Sequence, residues 1–125
     1  MSVTENLLQN LYDAFNKRDI EAVLATMADD VKWANGWEGG FVYGRDNVRE
    51  YWRRQFEVIT PQLEILEIEI SDNRSITKLH QIARDLDGNI VDDKIVKHIF
   101  TFENGLIKIF EIGNVTKPFM ENENF

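Results

Sequence analysis

Residues 75–112, SITKLHQIARDLDGNIVDDKIVKHIFTFENGLIKIFEI, decide the fold. Apolar and polar residues alternate through most of this stretch, which sends successive side chains to opposite faces of a strand. Asp87-Gly88 and Asn104-Gly105 interrupt the alternation, and both pairs suit tight hairpin turns whose central residues need positive φ. The pattern predicts a meander of strands over 75–86, 90–103 and 106–112. Two-residue turns also set register. Leu79 is expected opposite Val96, Gln81 opposite Lys94 and Thr77 opposite His98; around the second turn, Phe100 opposite Ile109 and His98 opposite Glu111. One face then carries Leu79, Val96, Phe100, Phe102, Ile107 and Ile109, with His98 and Glu111 among them. The other carries Ile76, His80, Ile82, Ile95, Ile99, Phe110 and Ile112.

Leu63 to Ile70 forms a further strand, with a slip in alternation where Ile65 meets Leu66 that signals a bulge or a change of face. Upstream the period becomes helical. Ser2 and Glu5 fit a capping box, and Leu7, Leu8, Leu11, Ala14 and Phe15 form an apolar stripe. Asp19 caps a second helix with Ile20, Val23, Leu24 and Met27 buried, ended by Asp29-Asp30. A short strand over 31–35, a Gly-rich loop over 36–44 and a third helix from Arg45 to about Ile59, stopped by Pro61, complete the half. Helices can cover only one face of the sheet, so the other apolar face reads as a homodimer interface.

The chain has 125 residues, 43% hydrophobic and 29% charged, with a net charge of −8 and no cysteine. This suits one α+β domain over 1–118 with a polar tail over 119–125. The acidic balance argues against nucleic acid and anionic membrane surfaces, since phosphate binding needs concentrated Lys and Arg. No apolar run reaches the length of a membrane span, and the first residues lack the features of a signal peptide, so a cytoplasmic location is expected.

The order of elements, with DAFNKRDIEAVLATMADDVKW and GRDNVREYW, resembles the nuclear transport factor 2-like superfamily, and more narrowly its SnoaL-like, ketosteroid isomerase-related branch. The resemblance covers essentially the whole chain and implies a cone: three N-terminal helices on a curved, mostly antiparallel sheet around one apolar pocket. It also implies three catalytic positions, a helix-one tyrosine, an aspartate base and a neutral aspartate donor. These fall on Leu11, with Tyr12 one residue off and turned away, on Asn35 and on His98. All three differ, so the usual steroid isomerase chemistry is not expected.

His98 with Glu111 is the leading candidate pair, because a carboxylate beside an imidazole fixes its tautomer and raises its pKa. A structural cross-strand pair accounts for the same residues. Asn35 either orients a substrate carbonyl or water, or bonds the Gly-rich turn after it. Trp33, Trp52, Phe56 and Phe100 read as pocket walls or as core, and Trp37 and Phe41 as a lid. His80 is expected on the interfacial face. Asp92 and Asp93 beside Lys94 read as a solvated strand end, and Arg45, Arg49, Arg53 and Arg54 as a solvated helix face pairing with Glu50 and Glu57. No spacing matches a metal or phosphate motif, so no metal and no cofactor are expected. These features predict an isomerase, cyclase or dehydratase acting by acid–base chemistry on a small apolar or aromatic molecule. A non-catalytic binding module of the same fold is the alternative.

Overall fold

In the computed structural model, residues 3–36 and 38–113 are described. Three helices, α1 (Val3–Asn16), α2 (Ile20–Leu24) and α3 (Arg45–Phe56), accompany β1 (Met27–Ala34), β2 (Phe41–Tyr43), β3 (Ile59–Ser71), β4 (Arg74–Asp85), β5 (Ile90–Glu103) and β6 (Leu106–Ile112). The strands form one sheet in the order β2-β1-β6-β5-β4-β3. Only β1 and β6 pair in parallel; the other neighbours are antiparallel. Helix α1 lies against β3, and α3 against β1, β2 and β3, so the helices cover one face of the sheet, as expected. No helix among the described residues is long and apolar enough to cross a membrane.

Most of the expected register is present. Leu79 pairs with Val96, Gln81 with Lys94 and Thr77 with His98. The turn itself is looser than two residues: Asp85 N–H donates to Asn89 at 2.9 Å, and an extra residue at Val91 restores the pairing beyond it. The slip at Leu66 is a bulge, with Ile65 opposite Leu79 and Glu67 opposite Lys78.

The second hairpin departs from expectation. Glu103 pairs with Leu106 and Phe102 with Ile107, but Thr101 then pairs with Ile109, leaving Lys108 as an extra residue in β6. Every later residue of β6 changes face. Phe100 meets Phe110, His98 meets Ile112, and Glu111 lies opposite Ile99 on the outer face. The expected pairing of His98 with Glu111 is therefore overturned by one bulge. Phe110 and Ile112 belong to the inner face, and Ile109 to the outer.

Several boundaries also differ. The second helix ends at Leu24, and Met27, Asp29 and Asp30 belong to β1. Asp19 caps α2 as expected, accepting from the Ala22 N–H at 3.2 Å. Helix α3 ends at Phe56, and Pro61 sits inside β3; this is an edge strand, where a missing N–H is tolerated. Phe41–Tyr43, expected as loop, pairs with β1 between Gly40 and Gly44. Gly44, at φ 84°, opens α3 in a conformation that other residues rarely adopt, while its N–H donates to Val31 O at 2.8 Å. Arg49 pairs with Glu21 and Asp46 rather than with Glu50, tying α3 to α2. The expected Ser2 cap, Trp37 and the tail over 119–125 lie outside the described residues.

Asn16, at the end of α1, meets the free edge of β3. Its Oδ1 accepts from the Leu63 N–H and its Nδ2 donates to the Leu63 carbonyl, both at 2.9 Å. The core between helices and sheet includes Leu8, Leu11, Val23, Met27, Val48, Leu79, Phe100 and Ile107, all essentially inaccessible to water. Burying side chains of this size stabilises by about 1.5–3 kcal/mol each.

Candidate functional site

The inner face of the sheet and the three helices enclose a cavity of about 310 Å³, at the small end of the usual ligand-site range of about 300–1,000 Å³. Its walls are largely aromatic. Trp33, from β1, stacks on Phe110 with centroids 4.0 Å apart and meets Trp52 edge-on at 5.1 Å. Phe15 reaches the same wall from α1, 5.7 Å from Trp52. The Tyr51 hydroxyl accepts from the Gly36 N–H at 3.2 Å and ties α3 to the loop after β1.

His98 stands on this wall, 8% exposed, with Phe110 edge-on at 4.7 Å. Its partner comes from α1. The Tyr12 hydroxyl lies 2.7 Å from His98 Nδ1, and the two rings stack with centroids 5.8 Å apart. Tyr12 is 2% exposed and lines the cavity, so the expectation that it turns away is corrected. Leu8, Leu11, Tyr12 and Phe15 follow the i, i+3, i+4, i+7 spacing of a buried helix face, a signal present in the sequence.

Burial sets the charge of both groups. It holds the His98 imidazole down to about 3 and pushes the Tyr12 hydroxyl well above its ordinary value, so both are neutral near pH 7. Among the described residues, Nδ1 is the acceptor that the Tyr12 hydroxyl meets. A buried O–H left without an acceptor is costly, so the tyrosine donates and Nδ1 accepts. The imidazole proton then resides on Nε2. The pair is a neutral hydrogen-bond donor set in an apolar cavity.

At another part of the same cavity lie Gln81, Asp92 and Lys94. Gln81 Nε2 donates to Asp92 Oδ2 at 3.1 Å, and Lys94 Nζ meets the same oxygen at 3.1 Å. The expectation of a solvated strand end at Asp92 and Lys94 is corrected, since both line the cavity. The even spacing of Asp92 and Lys94 with Val96 and His98 along β5, and the place of Gln81 opposite Lys94 on β4, are the signal for a shared face.

Of the remaining expected site residues, Trp33, Trp52 and Phe100 share the cavity with His98, whereas Asn35, Glu111, Phe56 and Phe41 do not line it. Asn35 organises the turn after β1: its Oδ1 accepts from the Glu38 N–H at 2.9 Å, and its Nδ2 donates to Glu38 Oε1 at 3.2 Å. Its alternative reading, bonding the Gly-rich turn, matches this geometry. Glu111 is on the outer face. Phe56 packs behind the wall against Phe15 at 5.4 Å. Phe41, on the edge strand, is 39% exposed with the Lys32 ammonium 4.2 Å above its ring. His80 lies on the outer face, 2.7 Å from Asp93. Among the described residues, no group of three or more His, Asp and Glu side chains is arranged to hold a metal ion.

Helices over one face of a curved, mostly antiparallel sheet, with an apolar cavity between them, define the class of the fold. The chain belongs to the SnoaL-like domain family, whose model matches residues 8–110. Among solved structures, an NTF2-like protein of unknown function from Burkholderia pseudomallei superposes with a TM-score of 0.81 at 28% identity, over 90% of this chain and 91% of that one. TerC, co-crystallised with polyporic acid, gives 0.80 at 22% identity over 90% and 91%. An LEH-like epoxide hydrolase of M. tuberculosis gives 0.74 at 17% identity over 86% and 78%. The last two likenesses are of fold. No curated protein matches the chain in sequence.

Proposed function

We propose that this protein is an isomerase, cyclase or dehydratase that activates a ring-containing carbonyl compound through His98. The observation that carries the reading is the Tyr12–His98 hydrogen bond of 2.7 Å inside an apolar cavity. With Nδ1 occupied, Nε2–H donates to a substrate carbonyl oxygen. A donor fixed in an apolar site stabilises the negative charge that grows on that oxygen as a base from solvent, hydroxide or a buffer anion, takes the proton of the adjacent carbon. Tyr12 is a positioning residue that holds the tautomer. Glu111 and Asn35 take no part, because Glu111 lies on the outer face and Asn35 bonds the turn after β1. The crystallised complex of TerC with polyporic acid supports a small organic ligand for this fold.

The test is deuterium exchange at the carbon next to the carbonyl of 2-tetralone, a ring ketone, followed by proton NMR in heavy water. Exchange faster than in buffer, and lost in His98→Gln, is expected. Exchange at the buffer rate with tetralone bound leaves the non-catalytic binding module as the reading.

The outer sheet face supports a homodimer. Ile76 is 37% exposed there, and Ile82, Ile95, Ile99 and Ile109 are half-buried. A surface of this apolarity is favoured in contact with a second copy.

A further inference from the structure

Asp92, Lys94, Val96, His98 and Phe100 follow one another on the inner face of β5, and all line the cavity. The Asp92 carboxylate is held through one oxygen only, Oδ2, by Gln81 Nε2 and Lys94 Nζ. Among the described residues, Oδ1 meets no donor. An ammonium carries three N–H donors and a glutamine side chain one carbonyl acceptor, so the cluster retains both donor and acceptor capacity. Both charged side chains are more than half buried, at 37% and 31% exposure.

We propose that Gln81, Asp92 and Lys94 form a subsite for an uncharged hydroxyl group, and that the ligand is a hydroxylated ring compound lying along β5 toward His98. A hydroxyl both donates and accepts, so it gives its proton to Asp92 Oδ1 and receives a hydrogen bond from Lys94. A ligand carboxylate only accepts, so it would leave Asp92 Oδ1 without a donor and compete with Asp92 for the Lys94 ammonium. A purely apolar end would strip water from the ion pair and return no hydrogen bond.

Distance separates this subsite from the chemistry. Lys94 and Asp92 lie four and six residues from His98 on one strand, about 13 and 20 Å at roughly 3.3 Å per residue. Proton transfer requires hydrogen-bond contact of about 2.6–3.2 Å. The cluster therefore selects the ligand and does not act on the atom that His98 meets. This inference rests on the cavity being a ring-compound site, as proposed above.

The test titrates biphenyl-4-ol, biphenyl and biphenyl-4-carboxylate into the full chain and follows tryptophan fluorescence. The alcohol is expected to bind about tenfold more tightly than either relative, the size of one hydrogen bond to a charged group. In Asp92→Asn that advantage shrinks and the carboxylate gains on the alcohol; Gln81→Leu, which frees the carboxylate to turn, gives a smaller loss. Circular dichroism of both variants is expected to match that of the unaltered chain. Equal affinity for alcohol and biphenyl, tighter binding of the carboxylate by the unaltered chain, or an unchanged preference in both variants overturns the subsite and leaves the ring-binding cavity standing. Failure of all three compounds to bind overturns both.

Discussion

Tyr12 and His98, 86 positions apart in the chain, share a hydrogen bond of 2.7 Å beside the aromatic wall of the cavity. The bond joins the first helix to the middle of β5, so it couples the packing of α1 to the state of the imidazole. Replacing Tyr12 by Phe keeps the ring stack and leaves Nδ1 buried without its donor. Urea melts should show a loss of about 1–3 kcal/mol. Nitrogen-15 NMR should show the imidazole proton no longer confined to Nε2. Unchanged ring shifts would show that the hydroxyl does not set the tautomer.

Stability should fall in mildly acidic solution because of the same histidine. The folded chain holds His98 at about 3 by burial, whereas the ordinary value is 6.5. Below that ordinary value the unfolded chain takes up a proton that the folded chain refuses. The contribution is therefore fully present above about pH 6.5 and is lost as the pH falls toward 3, at roughly 1.4 kcal/mol per pH unit. Hydrogen bonds hold Glu21, Asp30 and Asp85 below their ordinary values, with the charges of Arg49 and Lys108 adding to the first two, and their losses begin only in the carboxylate range. Urea melts between about pH 5 and 7 thus isolate the histidine. His98→Gln should flatten the slope by one proton; parallel slopes would count against a buried neutral imidazole.

The Lys108 bulge makes a sharp contrast between neighbours on β6. Phe110, 3% exposed and stacked on Trp33, should cost about 3–5 kcal/mol when replaced by Ala. Glu111→Ala, on the outer face, should change stability by less than about 0.5 kcal/mol. Thermal melts showing the opposite order would restore the unbulged register.

If two copies meet through the outer face, a charge at its centre should separate them. Ile99→Glu should move sedimentation toward the monomer with far-ultraviolet circular dichroism unchanged. A persistent dimer would remove this face from consideration.

The two bulges explain what was legible in the sequence. At Leu66 the slip shows because β3 alternates Ile and Leu with Glu, so an extra residue puts two apolar side chains together. At Lys108 it does not. Leu106, Ile107, Ile109 and Phe110 surround one lysine, and both faces of β6 are apolar enough to accept either register. Pattern alone therefore gave the meander and the first hairpin, while the partner of His98 stayed hidden. Tyr12 was obscured differently: counting from a catalytic position in related folds set it aside, although its own helical spacing with Leu8 marked it as buried. Asp92 and Lys94 read as a solvated strand end because charged residues near a turn carry no mark of burial in their composition. Only the face they share with His98 distinguishes them.

Asn16 has a consequence for how the sheet ends. Its amide presents one donor and one acceptor in a plane, the same display as a peptide group, and spends both on Leu63. At that point the first helix stands where a seventh strand would begin. An incoming chain that tried to extend the sheet along β3 would first have to displace this side chain and the helix behind it. Edge-to-edge pairing along β3 is thereby interrupted at Leu63 by a single amide side chain.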